Sequence, residues 1–479
     1  MPHNFRRPRR WALLGVLLCG AFVLAACAPL QDEIPTLVPT FTGVPQAGAP
    51  TEVPKALSPT PRPVCTPPPC AGDETHVCGS ADGCPGGCGT ICVKKTPTAT
   101  GSAGGPLIEP IARLTSGEII ITTIHMLNEQ IGWAVAEAPG APDDHLMQTR
   151  DGGLTWRDVS PPQPKDETAE IGQGLTFFAL DERTAWVTYY NRTGGPLFQP
   201  ANVWRTTDGG QTWQAGAPLD LTDVELYLPS DLYFVDANTG WLMAHVGAGM
   251  SHDYVNVYRT TDGGQTWTKV VDPFTDNLQQ SCAKTGLIFT DANNGWVTGD
   301  CHGVQPGAPY LYRTTDGGRT WAPVELPAPA SAPELFTTET LACGVQAPVY
   351  FDTRTGLLPV ECLDLNSSQP KTFLYRTTDG GQTWTAEPIE GDYQSAAFLD
   401  ATTGWVLTSS GPETPSELFA TTDGAATLLP TKTVNWTGRF SFVSPQVGWA
   451  VAESAQGRAL VQTKDGGRTW REIKPVATP

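Results

Sequence analysis

Thr206-Thr207-Asp208-Gly209-Gly210-Gln211-Thr212-Trp213 decides the reading of this chain, because it is not unique within it. It returns as Thr260 to Trp267, Thr314 to Trp321 and Thr377 to Trp384, with variants at Thr149 to Trp156 and Thr463 to Trp470. A seventh copy, Thr421 to Leu428, keeps Thr-Asp-Gly but loses the second glycine and the tryptophan. Asp-Gly-Gly is turn chemistry: the carboxylate accepts bonds from nearby amides, and glycine enters backbone regions closed to other residues. The shared aspartates are Asp151, Asp208, Asp262, Asp316, Asp379, Asp423 and Asp465. Seven near-identical turns serve a fold, so these carboxylates are expected to be structural and not a metal or catalytic array. The arginines Arg205, Arg259, Arg313 and Arg376 before the boxes, and Arg150 one place nearer, recur likewise and take the same reading.

A second motif precedes each box by 21 to 27 residues. Phe234-Val-Asp236-Ala-Asn-Thr-Gly240-Trp241 is echoed by Phe289 to Trp296 and Phe398 to Trp405. Shorter copies are Asn128 to Trp133, Asp181 to Trp186, Asp352 to Leu357 and Ser444 to Trp449. Around these turns the residues read as strands. Ser230 to Val235 forms one, Trp241 to Ala244 returns as a second, Tyr254 to Thr260 is a third, and a fourth follows the box. Four strands per unit of 42 to 63 residues, seven times over, predict an all-β, seven-bladed β-propeller of four-stranded blades over residues 107–476. Twelve of the 15 tryptophans fall in the two motifs and are expected in the core. All seven units stand in one frame, so no swapped strand is required, although Leu107 to Arg113 could supply a closing one.

At these residues the chain resembles the Asp-box, or bacterial neuraminidase repeat, proteins, which include sialidases, xyloglucanases and sortilin-type receptors. The combination of Phe-x-Asp-x-x-x-Gly-Trp with Arg-Thr-Thr-Asp-Gly-Gly-x-Thr-Trp looks most like the photosystem II stability/assembly factor family. That resemblance implies a non-enzymatic, exported propeller that holds membrane-protein subunits during assembly. It is specific for fold and weakly specific for function.

The segments before the repeats read differently. Arg6, Arg7, Arg9 and Arg10 open a signal peptide over residues 1–26, and Trp11 to Val23 is its apolar stretch. Leu24-Ala25-Ala26-Cys27 reads as a lipobox in which Cys27 takes the diacylglyceryl thioether. An extracytoplasmic, membrane-anchored lipoprotein follows. Residues 27–64 are rich in Pro and Thr and cannot bury a core, so a solvated stalk is expected. Residues 65–92 hold six cysteines, Cys65, Cys70, Cys78, Cys84, Cys88 and Cys92, among many glycines. In an exported chain that density implies about three disulfides, with about 15 possible pairings. Zinc is the rival reading, but the spacing matches no common zinc signature. Residues 93–106 are a second linker.

Charge narrows the partners. From a net charge of −19, loss of the four signal arginines leaves −23. Such a surface repels phosphate backbones, so nucleic acid is disfavoured and membrane contact runs through the lipid. The function class expected is a binding or scaffold module for a protein or membrane protein, without cofactor or metal. A carbohydrate-binding or glycoside-hydrolysing propeller is the alternative. A sialidase needs an arginine triad, yet Arg113, Arg183, Arg192, Arg354, Arg439 and Arg458 lack an accompanying Phe-Arg-Ile-Pro motif. Hydrolysis by two carboxylates needs only paired acids, for which Asp220, Asp223, Glu225 and Asp253 stand outside the motifs. His245, His252 and His302 fall in strand-two-to-three loops, where single histidines are ordinarily solvated.

Two cysteine pairs straddle the strand-one-to-two turn. Cys282 and Cys301 flank Asp291, and Cys343 and Cys362 flank Asp352, so each pair is predicted to bridge its own hairpin. In a four-stranded blade, turns one-to-two and three-to-four share one side, which here carries the repeated motifs. The opposite side carries variable loops and is the expected binding face. Tyr190, Phe198, Tyr227 and Tyr254 are its candidate anchors, with Asp220, Glu225, His252 and Asp253 as polar contacts.

Overall fold

The computed structural model describes residues 74–79 and 89–94, and residues 112–479 apart from 142, 163–171, 193–200, 223, 225, 250–251, 276–277, 302–308, 338–340, 368–369 and 410–413. The chain divides into two compact units, Met1–Leu107 and Ile108–Pro479. In the first, Glu74–Gly79 and Gly89–Lys94 form an antiparallel hairpin that sets Cys78 opposite Thr90 and His76 opposite Cys92. The signal, Cys27, the stalk and the side chains of the cysteine-rich module lie outside what is described.

The second unit is all-β, with no helix among its described residues. Its small sheets repeat one antiparallel order. The third repeat shows it in full: Leu228–Phe234, Gly240–Ala248, Asp253–Thr260 and Thr268–Val271, each paired with the next. These strands match the sequence expectation, with the second running on to Ala248. The neighbouring sheets repeat this order, the fifth copy with its first strand split into Leu341–Val345 and Val349–Tyr350, and a single pairing of Asp300 with Gly344 joins the fourth and fifth copies into one larger sheet.

Each second-motif tryptophan binds its repeat to the following one. Trp186 stacks on Phe234 at 3.7 Å between ring centroids, Trp241 on Phe289 at 3.5 Å, and Trp405 on Phe442 at 3.6 Å. The indole nitrogens of these three donate to the box carbonyls of Gly263, Gly317 and Gly466 at 2.8–3.0 Å, so burial leaves no donor unpaired. Each fully buried indole removes roughly 200 Å² from water, on the order of 5 kcal/mol before chain entropy is subtracted. The pre-box arginines complete the joint: the Arg205 and Arg259 guanidiniums lie 5.4 and 5.6 Å from the Trp186 and Trp241 rings. Arg259 also donates to the Ala292 carbonyl of the next repeat at 3.0 Å.

The last repeat treats the first as its successor. Trp449 Nε1 donates to the Gly152 carbonyl at 3.0 Å, the same bond across 297 residues. An outer seam reinforces it: Val476–Thr478 runs parallel to the Thr155–Asp158 strand and pairs with Gly117–Glu118. Closure therefore adds short strands outside four complete ones. Of the segment Leu107 to Arg113, residues 107–111 lie outside the described residues, and Ala112 and Arg113 lie outside any strand.

Both predicted hairpin disulfides are formed, Cys282–Cys301 and Cys343–Cys362. Cys343 and Cys362 sit directly opposite each other in the ladder. Closing loops of about 20 residues, each is worth on the order of 3 kcal/mol in the chain-entropy account.

Candidate binding face

The two motifs meet on one side. Asp236 Oδ1 accepts the Asn238 and Thr239 amides at 2.7 Å, which fixes the first turn. The Asn238 carbonyl then accepts the Gly263 amide of the box at 2.8 Å. The equivalent bond occurs in all seven repeats, from Gly152, Gly209, Gly317, Gly380, Gly424 and Gly466 as well. Within the box, Asp262 Oδ1 accepts Thr260 Oγ1 at 2.8 Å and the Thr266 amide at 2.9 Å, and Oδ2 accepts Thr266 Oγ1 at 2.6 Å. Asp151, Asp208, Asp316, Asp379 and Asp465 repeat these three bonds. At Asp208 and Asp379 the Thr212 and Thr383 hydroxyls hold the carboxyl down at about 2. These carboxylates are occupied inside their own turns.

The degenerate copy shows what the second glycine supplies. Ala425 adopts φ 66°, a left-handed conformation that the other six repeats fill with glycine at φ 76–93°. Its amide still reaches Thr421 Oγ1 at 2.9 Å, so the turn is kept at the expense of backbone strain.

The opposite side carries unrepeated chemistry. In the third repeat a cleft of about 380 Å³ is lined by Thr222, Val224, Val246, Tyr254, Asn256, Lys269, Asp272, Pro273 and Phe274. Phe274 is 81 % exposed, the most exposed large apolar side chain among the described residues. Its turn is built, not loose: Asp272 Oδ1 accepts the Phe274 amide at 2.9 Å. Lys269 Nζ stands 3.5 Å from both Asp220 Oδ2 and Asp272 Oδ2. Beneath them Asn256 Nδ2 donates to Tyr258 Oη at 3.0 Å, and that hydroxyl donates to the Asp220 carbonyl at 2.8 Å. Asn256 Oδ1 is buried and meets no donor among the described residues.

Beside the cleft, His245 Nδ1 lies 2.8 Å from Asp253 Oδ1, while Asp253 Oδ2 accepts the Lys284 amide at 2.7 Å. The Lys284 ammonium is buried against the carbonyls of Ser281, Cys282 and Asp253, with the Tyr310 ring 4.7 Å away. Desolvation pulls it down to about 8. Asp253 and Lys284 thus tie the third repeat to the disulfide hairpin of the fourth.

A second cluster joins the first two repeats on this side. Arg192 Nη2 donates to Glu137 Oε1 at 2.9 Å and also to Asp144 Oδ1. Asp144 Oδ2 accepts the Leu175 amide at 3.1 Å. Burial pushes the Asp144 carboxyl up to about 6, against the pull of Arg192.

The expected anchors are placed unevenly. Tyr254 lines the cleft with His252 stacked on it at 5.8 Å, and Asp220 is not among the lining residues but stands 3.5 Å from one of them, Lys269. Tyr190 is half-buried against its own sheet. Tyr227 must be corrected: it is 1 % exposed, and its hydroxyl lies 3.0 Å from Thr188 Oγ1, so it is a core residue and not a surface anchor. Its ring packs with Trp186, Leu232 and Tyr258 in a core cluster shared by the second and third repeats. Phe198 and Glu225 lie outside the described residues. Lys269, Asp272 and Phe274, which the sequence reading missed, lie in the fourth strand (Lys269) and just after it. Their one signal is an exposed-type Asp-Pro-Phe between repeats.

Comparison with known proteins bears on the repeats first. The BNR/Asp-box repeat family matches residues 258–269 and 375–386. A xyloglucanase of Paenibacillus sp is 27 % identical over 258 residues, which are 50 % of this chain and 23 % of that protein. The oligoxyloglucan-reducing end-specific xyloglucanase of Emericella nidulans is 23 % identical over 290 residues, 57 % of this chain and 30 % of that protein. The matched stretch therefore spans less than a third of either relative. Among solved structures, YCF48 bound to D1 peptide aligns with a TM-score of 0.43 and 17 % identity, over 76 % of this chain and 99 % of that one. The chain carries BNR/Asp-box repeats, and it is similar to these proteins over the shares stated.

Proposed function

We propose that this chain is a lipid-anchored, extracytoplasmic, seven-bladed β-propeller that acts as a non-enzymatic binding or scaffold module for a protein or membrane-protein partner. Residues 1–26 are then a signal peptide, Cys27 the lipid site, and residues 27–64 a stalk. A disulfide module (65–92) and a linker (93–106) lead to blades over 107–476, with Val476–Thr478 sealing the ring. One observation carries the reading. Box carboxylates accept their bonds from within their own turns, while the opposite side presents unrepeated aromatic and charged side chains. Recognition on a rigid scaffold resides in such variable loops. Three acids of that side are engaged: Asp220 and Asp272 with Lys269, Asp253 with His245.

One cluster favours a second reading, glycoside hydrolysis. Glu137 and Asp144 share Arg192, and a carboxyl near 6 beside a second carboxylate is equipment for acid catalysis. The xyloglucanase relatives point the same way. Pull-down from membranes with the lipidated full chain, run beside a xyloglucan reducing-sugar assay, separates the two. The binding reading expects a retained partner and no sugar release. Release that Asp144→Asn abolishes would replace it with the second. Cys27→Ser should move the chain from membranes to the soluble or precursor fraction; unchanged membrane association without an acyl mass would remove the anchor.

A further inference from the structure

We infer that the cleft of the third repeat is a subsite for a neutral saccharide, gripping one or two pyranose units against Phe274. The inference shares the binding face proposed above but not its partner class. It begins with Phe274. An aromatic ring left 81 % exposed on a turn pinned by the Asp272 carboxylate gains nothing for the fold, and it stands at the rim of a cleft whose walls mix apolar and polar side chains. Tyr254 lines the same cleft, so two rings are available to cover the C–H face of a sugar.

Charge then selects the ligand. Lys269 stands between two carboxylates, each 3.5 Å away, with Thr222 beside them on the wall. A cationic ligand would meet Lys269, and an anionic one would meet Asp220 and Asp272. An apolar peptide side chain would strip water from all three without returning a hydrogen bond, a costly exchange. Vicinal hydroxyls suit the set, since each both donates and accepts. One can accept from Lys269 Nζ while its neighbour donates to Asp272 or Asp220. Asn256 lines the same cleft, and its Nδ2 is engaged with Tyr258 Oη. The walls are braced for such a role. Asp220 Oδ1 holds the Thr222 amide at 3.0 Å, and Tyr258 holds the Asp220 carbonyl from below. A volume of about 380 Å³ lies within the size range of small-ligand clefts.

The test uses the full chain on a printed array of neutral and anionic oligosaccharides, including glucan, mannan and xyloglucan fragments, beside a peptide array. The wild type should retain neutral glycans. Phe274→Ala should weaken that retention at least tenfold with an unchanged melting temperature, because the ring touches little of the core. Tyr254→Ala provides a second variant, read against its own melting curve. Failure to retain any neutral glycan overturns the inference, as does retention that Phe274→Ala leaves intact. Capture of a peptide through Phe274 in place of a glycan overturns it too. If glycans fail while the membrane pull-down still yields a partner, only the saccharide subsite falls and the binding module stands.

Discussion

The box side and the loop side of the same blades are built from the same strands, yet they use carboxylates in opposite ways. On the box side Asp262 takes hydrogen bonds from Thr260 and Thr266, residues two and four places away. On the loop side Asp220 reaches Lys269 and Arg192 reaches across from one repeat to Glu137 of another. Local bonds can be copied seven times because they depend only on the motif. Long-range ones cannot, and that is where individual chemistry collects.

The largest effect expected from this contrast is at the joints behind the box side. Trp241→Ala removes the stack on Phe289 and the bond to Gly317, and should cost about 3–5 kcal/mol. A denaturant midpoint that barely moves would mean that the repeats are not held through these rings. Asp262→Ala removes three acceptor bonds from a half-buried turn and should cost about 1–2 kcal/mol. Ala425→Gly should act in the other direction. It relieves a left-handed alanine, for a gain of about 1 kcal/mol in the melting analysis. A loss there would show that Ala425, which packs with Leu357 and Leu374, matters more for its methyl than for its backbone.

Acid should divide the two sides by sign. Box aspartates such as Asp208 and Asp379 have folded pKa values below the unfolded one. Their stabilisation is present above about pH 4 and fades as pH falls towards 2. Asp144 is raised to about 6, so the folded state holds the proton more tightly and stability falls as pH rises from about 4 to 6. Asp144→Asn should flatten stability within that window alone. A slope that survives the substitution would assign it to another group.

The sequence disclosed most of the architecture because the motifs are local. Turn aspartates, box glycines and the Phe–Trp rhythm each state their own geometry, and the hairpin cysteines follow from their offsets around Asp291 and Asp352. The candidate site was legible only in part. The side it occupies follows from strand order, and Tyr254 and Asp220 were read from it. Tyr227 was misplaced because nothing in its neighbourhood signals that the chain turns into the core there. Lys269 and Asp144 escaped because their partners Asp220 and Arg192 lie far away in the sequence, and Phe274 because a lone aromatic between repeats carries no periodic signal. Closure by Val476–Thr478 was missed for the same reason, since a three-residue strand has no periodicity to read.

The measurement that bears most directly on the division of labour sets Asp262→Ala beside Phe274→Ala. Each is assayed for thermal unfolding and, per folded molecule, for retention of the wild-type ligand found by array or pull-down. The account predicts a crossed result. Asp262→Ala melts earlier and still binds, while Phe274→Ala melts with the wild type and binds at least tenfold less well. Loss of binding by Asp262→Ala at an unchanged melting temperature would contradict it, because the box would then belong to the site.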